Sequence, residues 1–188
     1  PVIDGRELRT GGAGFLAVVN PATGGVIARE ACCDEKTVAR IVRSSDGAFH
    51  SPAWQRLTPS DRGRLLLNLA GLVETHAEEL ARLELLDVGK PISQLRGGEL
   101  PLTARIIRFY AGAADKIEGA VKSTAAGCFS LTTWEPYGVV AGILPWNYPL
   151  VNAAMKVAPA VAAGNAIVLK PSVETPLSTV AFAKLCLQ

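Results

Sequence analysis

The C-terminal part of the chain alternates strand-like and helix-like segments, and this order constrains the fold more than any other feature. Val139–Leu144 is a continuous apolar run, typical of a strand buried on both faces of a parallel sheet. Residues 149–163 are rich in Ala and helix-like, and a second short apolar run, Ala166–Leu169, follows them. A further helix is expected over residues 176–187. This order predicts an α/β fold with a parallel sheet and right-handed crossovers.

The residues before this segment are expected to form a hairpin and then helices. Residues 1–33 contain two strand-like stretches around the turn-forming sequence 20–25, which indicates a β-hairpin. Residues 34–119 carry apolar residues at helical spacing, and their helix starts are marked by Asp34, by Thr58 with Pro59, and by Pro101. The second helix is expected to run unbroken to Gly89. Its apolar face is predicted to consist of Leu65, Leu66, Leu69, Leu72, Val73, Ala77 and Leu80.

Composition excludes several classes of protein. Hydrophobic residues make up 49% of the 188 residues, which is enough for a sizeable core. The net charge is only +2, so we expect no nucleic-acid partner. No apolar run reaches the ~18 residues of a membrane span, so we expect no membrane partner. The chain opens with no signal region and no initiator Met, so we expect its native start to lie upstream. The four cysteines form no C-x-x-C pair, which favours reduced thiols over metal ligands or disulfides and leads us to expect a cytoplasmic protein.

The loop after the first predicted parallel strand, Pro145-Trp146-Asn147-Tyr148-Pro149, is made stiff by its two prolines. Its Asn147 amide would be a fixed donor at the carboxyl end of a strand, and fixed donors stabilise a developing oxyanion without reorganising. The alternative is that Asn147 caps the following helix. No G-x-G-x-x-G fingerprint follows this strand.

The loop after the second predicted strand begins with Lys170, in Leu169-Lys170-Pro171-Ser172. A lysine at a strand end can bind ribose hydroxyls or phosphate, or it can simply extend its stem along the sheet into solvent. From residue 136 onward, Glu174 is the one acid, against three lysines. This balance suits an anionic ligand at the carboxyl ends of the strands, although a buried sheet also needs few charges.

Taken together, these segments resemble the aldehyde dehydrogenase superfamily over nearly the whole chain. The C-terminal motifs are Pro136-Tyr137-Gly138-Val139, Pro145-Trp146-Asn147-Tyr148-Pro149-Leu150, the run from Lys156 to Asn165, Leu169-Lys170-Pro171-Ser172 and Thr175-Pro176-Leu177. Three earlier segments also resemble family motifs: Val19 to Gly24, Leu86 to Pro91 and Phe109 to Lys116.

The resemblance implies the amino-terminal part of an aldehyde dehydrogenase-like fold. It assigns a mainly helical part of the cofactor-binding domain to residues 1–118 and an oligomerisation hairpin to 119–137. The first βαβα of a Rossmann-like NAD(P)-binding sheet is expected over 138–188. The catalytic domain, with the family's nucleophilic Cys and general-base Glu, is expected beyond Gln188, so the chain alone is expected to be inactive.

The resemblance also implies a reaction. In the family, a Cys thiolate adds to the aldehyde, hydride passes to NAD or NADP, and water hydrolyses the resulting thioester to a carboxylic acid. Asn147 would donate to the oxygen of the thiohemiacetal, and Lys170 would hold the adenosine ribose. The remaining residues of the cofactor groove would be Ile143, Leu144, Pro145, Trp146, Ser172 and Val173. Many NAD-using relatives carry an acid where this chain has Val173, so the sequence leaves NAD and NADP open.

Two further sites follow from the resemblance. Tyr148, Asn152 and Met155 would line the substrate tunnel, although Met155 alone is equally well explained as a core residue. A monovalent cation would be bound by the Asp87 carboxylate and by the carbonyls of Val18 and Glu174. The alternative for Asp87 is a hydrogen bond to a helix end.

The expected partners are a small-molecule aldehyde and further copies of the same chain, in a homodimer or homotetramer. Two other interpretations stay open. The chain could be a non-catalytic half-fold or partner-binding fragment, or part of an acylating, coenzyme A-dependent semialdehyde dehydrogenase.

Overall fold

The computed structural model describes residues 1–188, and it begins with two small antiparallel sheets. The first pairs β1 with β2 and the second pairs β3 with β4. The turn of the second hairpin is closed by Asn20, whose side-chain oxygen accepts from the Ala22 N–H at 2.9 Å. The predicted N-terminal hairpin is therefore confirmed. The four strands are β1 (Val2–Ile3), β2 (Arg6–Glu7), β3 (Gly12–Val19) and β4 (Val26–Cys33).

A helical segment follows, and two of its helix starts are capped as predicted. The Asp34 side chain accepts from the Thr37 N–H at 2.7 Å. Thr58 and Asp61 form a reciprocal capping box. The segment consists of α1 (Glu35–Phe49), α2 (Pro52–Gln55), α3 (Pro59–Thr75), α4 (Ala77–Asp87), α5 (Ile92–Gln94), a π-helical turn (Leu95–Glu99) and α6 (Leu100–Ala113).

The predicted single helix from Thr58 to Gly89 is wrong, because the chain leaves helical geometry at His76 (φ −100°, ψ 16°). The assigned face is also partly wrong. Leu65 is 46% exposed, since α3 packs on α6 through a neighbouring stripe of its surface. The buried residues of α3 are Gly63, Leu66, Leu69, Ala70 and Val73.

The C-terminal part contains the predicted βαβα unit. Strands β7 and β8 pair in parallel, with Val139 opposite Ala166 and Ile143 opposite Lys170. Gly164 follows α7 with φ +89°, a left-handed conformation that favours glycine after a helix end. The elements are β5 (Ala120–Lys122), β6 (Ser130–Thr132), β7 (Val139–Ile143), α7 (Pro149–Ala162), β8 (Ala166–Lys170) and α8 (Leu177–Leu185).

One core of buried apolar residues joins α3, α4, α6, α7 and α8, with Phe182 of α8 fully buried in it. The expectation that β7 is buried on both faces is wrong. Ala141 and Ile143 alternate onto one face of the two-stranded sheet, and both side chains are exposed there. No helix combines the length and apolar character that crossing a membrane requires.

Candidate functional site

The carboxyl ends of β7 and β8 lie side by side. Ile143 is the register partner of Lys170, and the Leu144 N–H donates to the Lys170 carbonyl at 3.0 Å. The loop that carries Asn147 and the loop that begins at Lys170 therefore leave the sheet from adjacent positions. This edge is where open parallel sheets bind their ligands.

A buried threonine ties the two loops together. The Thr175 hydroxyl donates to the Trp146 carbonyl at 2.8 Å. The Ser172 hydroxyl accepts from the Glu174 N–H at 3.3 Å, which closes a tight turn between Lys170 and Thr175. The carbonyl next to Asn147 is thus fixed by the neighbouring loop.

The structure excludes the helix-capping alternative for Asn147. The N-cap residue of α7 is Tyr148, and no side chain at that position makes a capping hydrogen bond. Asn147 is exposed, and its side-chain amide has no hydrogen-bond partner within the chain. The amide is therefore free to donate to a bound ligand.

Lys170 lies beside an exposed apolar surface. Its ammonium donates to the Pro171 carbonyl at 3.0 Å and makes no ion pair. Ile143 is 70% exposed, Trp146 59% and Val173 50%. An apolar surface next to an unpaired cation fits the base and ribose of a dinucleotide.

The other predicted groove residues differ in exposure. Pro145 is exposed and Ser172 is half-buried. Leu144 is only 4% exposed and belongs to the core. The prediction that its side chain lines the groove is therefore wrong, and only its backbone can border the groove. The side chain points away because successive residues of an extended segment face opposite sides.

The three predicted tunnel residues lie at the start of α7, at helical spacings of four and three. The Lys90 ammonium lies 3.4 Å from the centroid of the Tyr148 ring, in a cation–π contact that orients the ring. The Asn152 side-chain amide donates to the Tyr148 carbonyl at 3.0 Å. Met155 is 54% exposed, so the core-packing alternative for it is wrong.

The predicted cation site contains one suitable orphan atom. Asp87 is buried, and its Oδ2 accepts from the Leu177 N–H at 2.9 Å, the helix-end contact offered as an alternative. Its Oδ1 is buried without a partner, which fits a cation ligand. Burial raises the pKa of Asp87 to about 6. Val18 is buried and Glu174 is exposed, and no hydrogen bond joins either of them to Asp87.

No cluster of three His, Cys, Asp or Glu side chains gathers in the chain, so a cation here would depend on backbone carbonyls. The hairpin turn after Val18 does approach the loop after Asp87. Gly89 has φ +80°, and a Cβ there would lie 2.7 Å from Pro21 Cγ. Only glycine allows this approach.

Sequence reasoning missed Glu84, which is fully buried in α4. Its Oε1 accepts from the Leu150 N–H at 2.9 Å and from the Ser178 hydroxyl at 3.3 Å, whereas its Oε2 has no partner. Burial raises the pKa of Glu84 to about 7. The available signal was an acid within the apolar stretch Leu83-Glu84-Leu85-Leu86.

The raised pKa of Glu84 predicts a pH-dependent stability. An unfolded glutamate titrates near 4.5, so the folded state holds this proton more tightly, and stability falls as pH rises from about 4.5 to about 7. The full loss attributable to Glu84 should be about 3 kcal/mol, because the pKa rises from 4.5 to about 7 and each pKa unit corresponds to ~1.4 kcal/mol. Urea unfolding at pH 5 and pH 8 measures it.

The Glu84→Gln variant should lose this part of the pH dependence, while exposed Glu79→Gln on the same helix should keep it. Other groups face Glu84 as well. The charge of Glu99 raises the pKa of Glu84, and the charge of Lys90 lowers it. Wild type and variant are therefore compared with each other at the same pH. Equal pH slopes in wild type and Glu84→Gln would contradict the assignment.

Comparison with known proteins connects this geometry to a family. The model of the aldehyde dehydrogenase family matches residues 9–188. The mitochondrial aldehyde dehydrogenase family 2 member B4 of Arabidopsis thaliana is 41% identical over 187 residues, covering 100% of this chain and 35% of the relative. The NADP/NAD-dependent aldehyde dehydrogenase PuuC of Escherichia coli strain K12 is 42% identical over 167 residues, covering 89% of this chain and 34% of the relative.

Solved structures agree with the sequence relatives. PnpE in complex with nicotinamide adenine dinucleotide has a TM-score of 0.93 and 45% identity, and the match covers 98% of this chain and 38% of PnpE. The indole-3-acetaldehyde dehydrogenase in its apo form has a TM-score of 0.94 and 41% identity, over 99% of this chain and 43% of that structure. The matched curated relatives are thus about three times as long as this chain.

Proposed function

The chain belongs to the aldehyde dehydrogenase family, whose members use NAD(P), and we propose that it forms the amino-terminal, cofactor-binding part of an enzyme that oxidises an aldehyde to a carboxylic acid. The observation that carries this proposal is the pairing of the two loops at the carboxyl ends of β7 and β8. One loop presents the free Asn147 amide and the other the unpaired Lys170 ammonium. The family match and the PnpE complex with its dinucleotide support the same assignment.

Lys170 is proposed to hold the adenosine ribose through its ammonium hydrogens. Ile143, Trp146 and Val173 would cover the base, with Pro145 and Ser172 bordering the groove. When bound, the cofactor supplies the hydride acceptor of the oxidation. Val173 places no carboxylate at the position where many NAD-using relatives carry one, and the acid of this loop, Glu174, comes one residue later, so a 2′-phosphate is not repelled at close range by residue 173. We therefore propose that both NAD and NADP are accepted.

Asn147 is proposed to act on the substrate oxygen. As a Cys thiolate from the rest of the full-length protein adds to the aldehyde carbon, negative charge develops on that oxygen. The amide N–H of Asn147 donates to it. The donor is effective because its turn is held by two prolines and by Thr175, so little reorganisation is needed. Tyr148, Asn152 and Met155 would form one wall of the substrate tunnel beside it.

An activity assay tests the proposed function. The full-length protein containing residues 1–188 is expected to reduce NAD or NADP when an aldehyde is added. The 188-residue chain alone is expected to give no reduction above the buffer rate, because none of its four cysteines lies in the family's nucleophile motif. Absorbance of the reduced cofactor, recorded with a panel of aldehydes, measures both proteins.

Three other results of this activity assay would each support a different interpretation of the chain. Activity of the full-length protein that requires coenzyme A would indicate the acylating reaction instead. A full-length protein inactive with every aldehyde and both cofactors would favour the non-catalytic, partner-binding interpretation. Cofactor reduction by the isolated chain would overturn the proposed absence of the nucleophile.

Self-association is the second expectation under this proposal. We propose the division given above: residues 1–118, the oligomerisation hairpin 119–137 and the sheet segment 138–188. The hairpin of β5 and β6 exposes large apolar side chains that monomers rarely leave uncovered. They are Val121 (73% exposed), Phe129 (75%), Leu131 (54%) and Trp134 (73%).

Light scattering on the purified chain measures this association. Wild type should form dimers or larger species rather than the 19.7 kDa monomer, because pairing buries the hairpin's apolar face and its strand edges. Leu131→Asp should shift the population toward monomer, while the exposed Leu65→Asp on α3 should not. A stable wild-type monomer at high concentration would be evidence against an oligomerisation hairpin.

A further inference from the structure

We propose that Glu84 is a positioning residue that holds the Asn147 turn in place by capping helix α7 from outside. This inference rests on the proposed function, because its effect on catalysis is read through Asn147. Glu84 is fully buried, and its hydrogen-bond partners, Leu150 and Ser178, lie in helices α7 and α8 rather than in either loop. It therefore acts through the protein rather than on a substrate.

The first observation is that α7 and α8 have no caps of their own. Neither N-cap residue, Tyr148 or Pro176, makes a side-chain capping hydrogen bond. The first N–H groups of a helix need acceptors and carry partial positive charge, so an acceptor oxygen beside them is stabilising. In both helices the acceptor comes from α4. Glu84 Oε1 accepts from the Leu150 N–H at 2.9 Å, and Asp87 Oδ2 accepts from the Leu177 N–H at 2.9 Å.

The second observation is where these capped helices begin. Helix α7 starts directly after the Asn147 turn, and α8 starts directly after the loop that follows Lys170. Glu84 and Asp87 are three residues apart, so they lie on one face of α4. Helix α4 thus holds the starts of both helices, in addition to the strand pairing and the Thr175 hydrogen bond that join the two loops directly.

A third contact strengthens the assignment to Glu84. The Ser178 hydroxyl of α8 donates to the same Glu84 Oε1 at 3.3 Å. The carboxylate therefore joins the first turns of α7 and α8 directly. Its loss would release the Leu150 N–H, which has no other acceptor, and would allow the turn carrying Asn147 to shift.

A double-mutant cycle on kcat in the full-length enzyme tests the inference. Glu84→Met keeps the volume but removes the acceptor, and it should lower kcat about ten- to a hundredfold, as a small displacement of a catalytic group does. Glu84→Gln retains an acceptor oxygen and should recover most of the activity. In an Asn147→Ala background, Glu84→Met should have almost no further effect on kcat, because the group it positions is gone.

The outcomes are distinct. If Glu84→Met lowered kcat equally in the wild-type and Asn147→Ala backgrounds, Glu84 would have a general structural role and the inference would be overturned. An unchanged kcat in Glu84→Met, together with an impaired Asn147→Ala, would also overturn it. Normal kcat in Asn147→Ala itself would overturn the role proposed for Asn147, and the positioning role would fall with it.

Amide hydrogen exchange keeps the inference falsifiable if Glu84→Met does not fold. In the wild-type 188-residue chain, the Leu150 amide should be strongly protected, although the second residue of a helix has no acceptor within that helix. Rapid exchange at Leu150, matching the rate of the Ser60 amide at the corresponding second position of α3, would contradict the capping contact and overturn the proposal.

Discussion

Replacing Asn147 with alanine in the full-length enzyme is expected to lower kcat about 10²–10³-fold, the loss typical of a single oxyanion donor. The side chain is exposed, caps no helix and lies in a turn fixed by two prolines. Its removal takes away a donor that is needed mainly in the transition state, so the chemical step should carry the loss. Steady-state kinetics with saturating cofactor measure the effect.

The dissociation constant of the cofactor should change little in the same variant, because this amide is not assigned to the nucleotide. Asn68→Ala is the matched control, since Asn68 is an exposed asparagine on α3, outside both loops. A near-normal kcat in Asn147→Ala together with weaker cofactor binding would show that the residue shapes the cofactor groove instead.

Replacing Lys170 with alanine should have the opposite profile. The dissociation constant of the cofactor should rise about 10–100-fold, the range expected for one lost hydrogen bond to a charged group. At saturating cofactor, kcat should fall much less, because the ammonium holds the ribose rather than the reacting atoms. Cofactor titration followed by fluorescence measures the change.

Lys36→Ala, an exposed lysine on α1, is the control for a general loss of positive charge. Lys170→Arg should retain part of the binding, because the guanidinium remains charged and donates hydrogen bonds. If Lys170→Ala bound NAD and NADP as tightly as wild type, the lysine would be an ordinary strand-end residue whose ammonium points to solvent.

Local sequence signals predicted the order of elements and several of their ends. The apolar runs of β7 and β8 predicted the parallel pair, because two short apolar segments around an Ala-rich helix have few other folds available. Asp34 and the Thr58 capping box start their helices as expected, since each cap depends on residues within one turn.

Contacts between distant parts of the chain could not be predicted in the same way. The partners of Glu84 are 66 and 94 residues away in sequence, so no local pattern identifies which groups its buried carboxylate contacts. The three-to-four spacing of apolar residues places Leu65 on the buried face, but α3 carries leucines around much of its circumference. Which leucines are buried is decided by the position of α6, not by their spacing alone.

The position of the site residues could be predicted from local sequence signals, but their surroundings could not. Asn147 and Lys170 follow directly from apolar runs, so their place at the sheet edge could be inferred from the chain itself. The exposure of individual groove residues could not be inferred in this way. Leu144 and Trp146 are both apolar and only two residues apart, and the sequence does not show which of them faces the core. Leu144 is buried in the core and Trp146 is mostly exposed.

The most direct test of the central claim, that the paired loops of β7 and β8 form the cofactor site, is a crystal structure of the full-length protein with NAD bound. The account predicts the Lys170 ammonium within about 3.2 Å of an adenosine ribose hydroxyl, the usual limit for such a hydrogen bond. It also predicts that the nucleotide lies against Ile143 and Trp146. A dinucleotide bound away from this edge, with Lys170 directed into solvent, would contradict it.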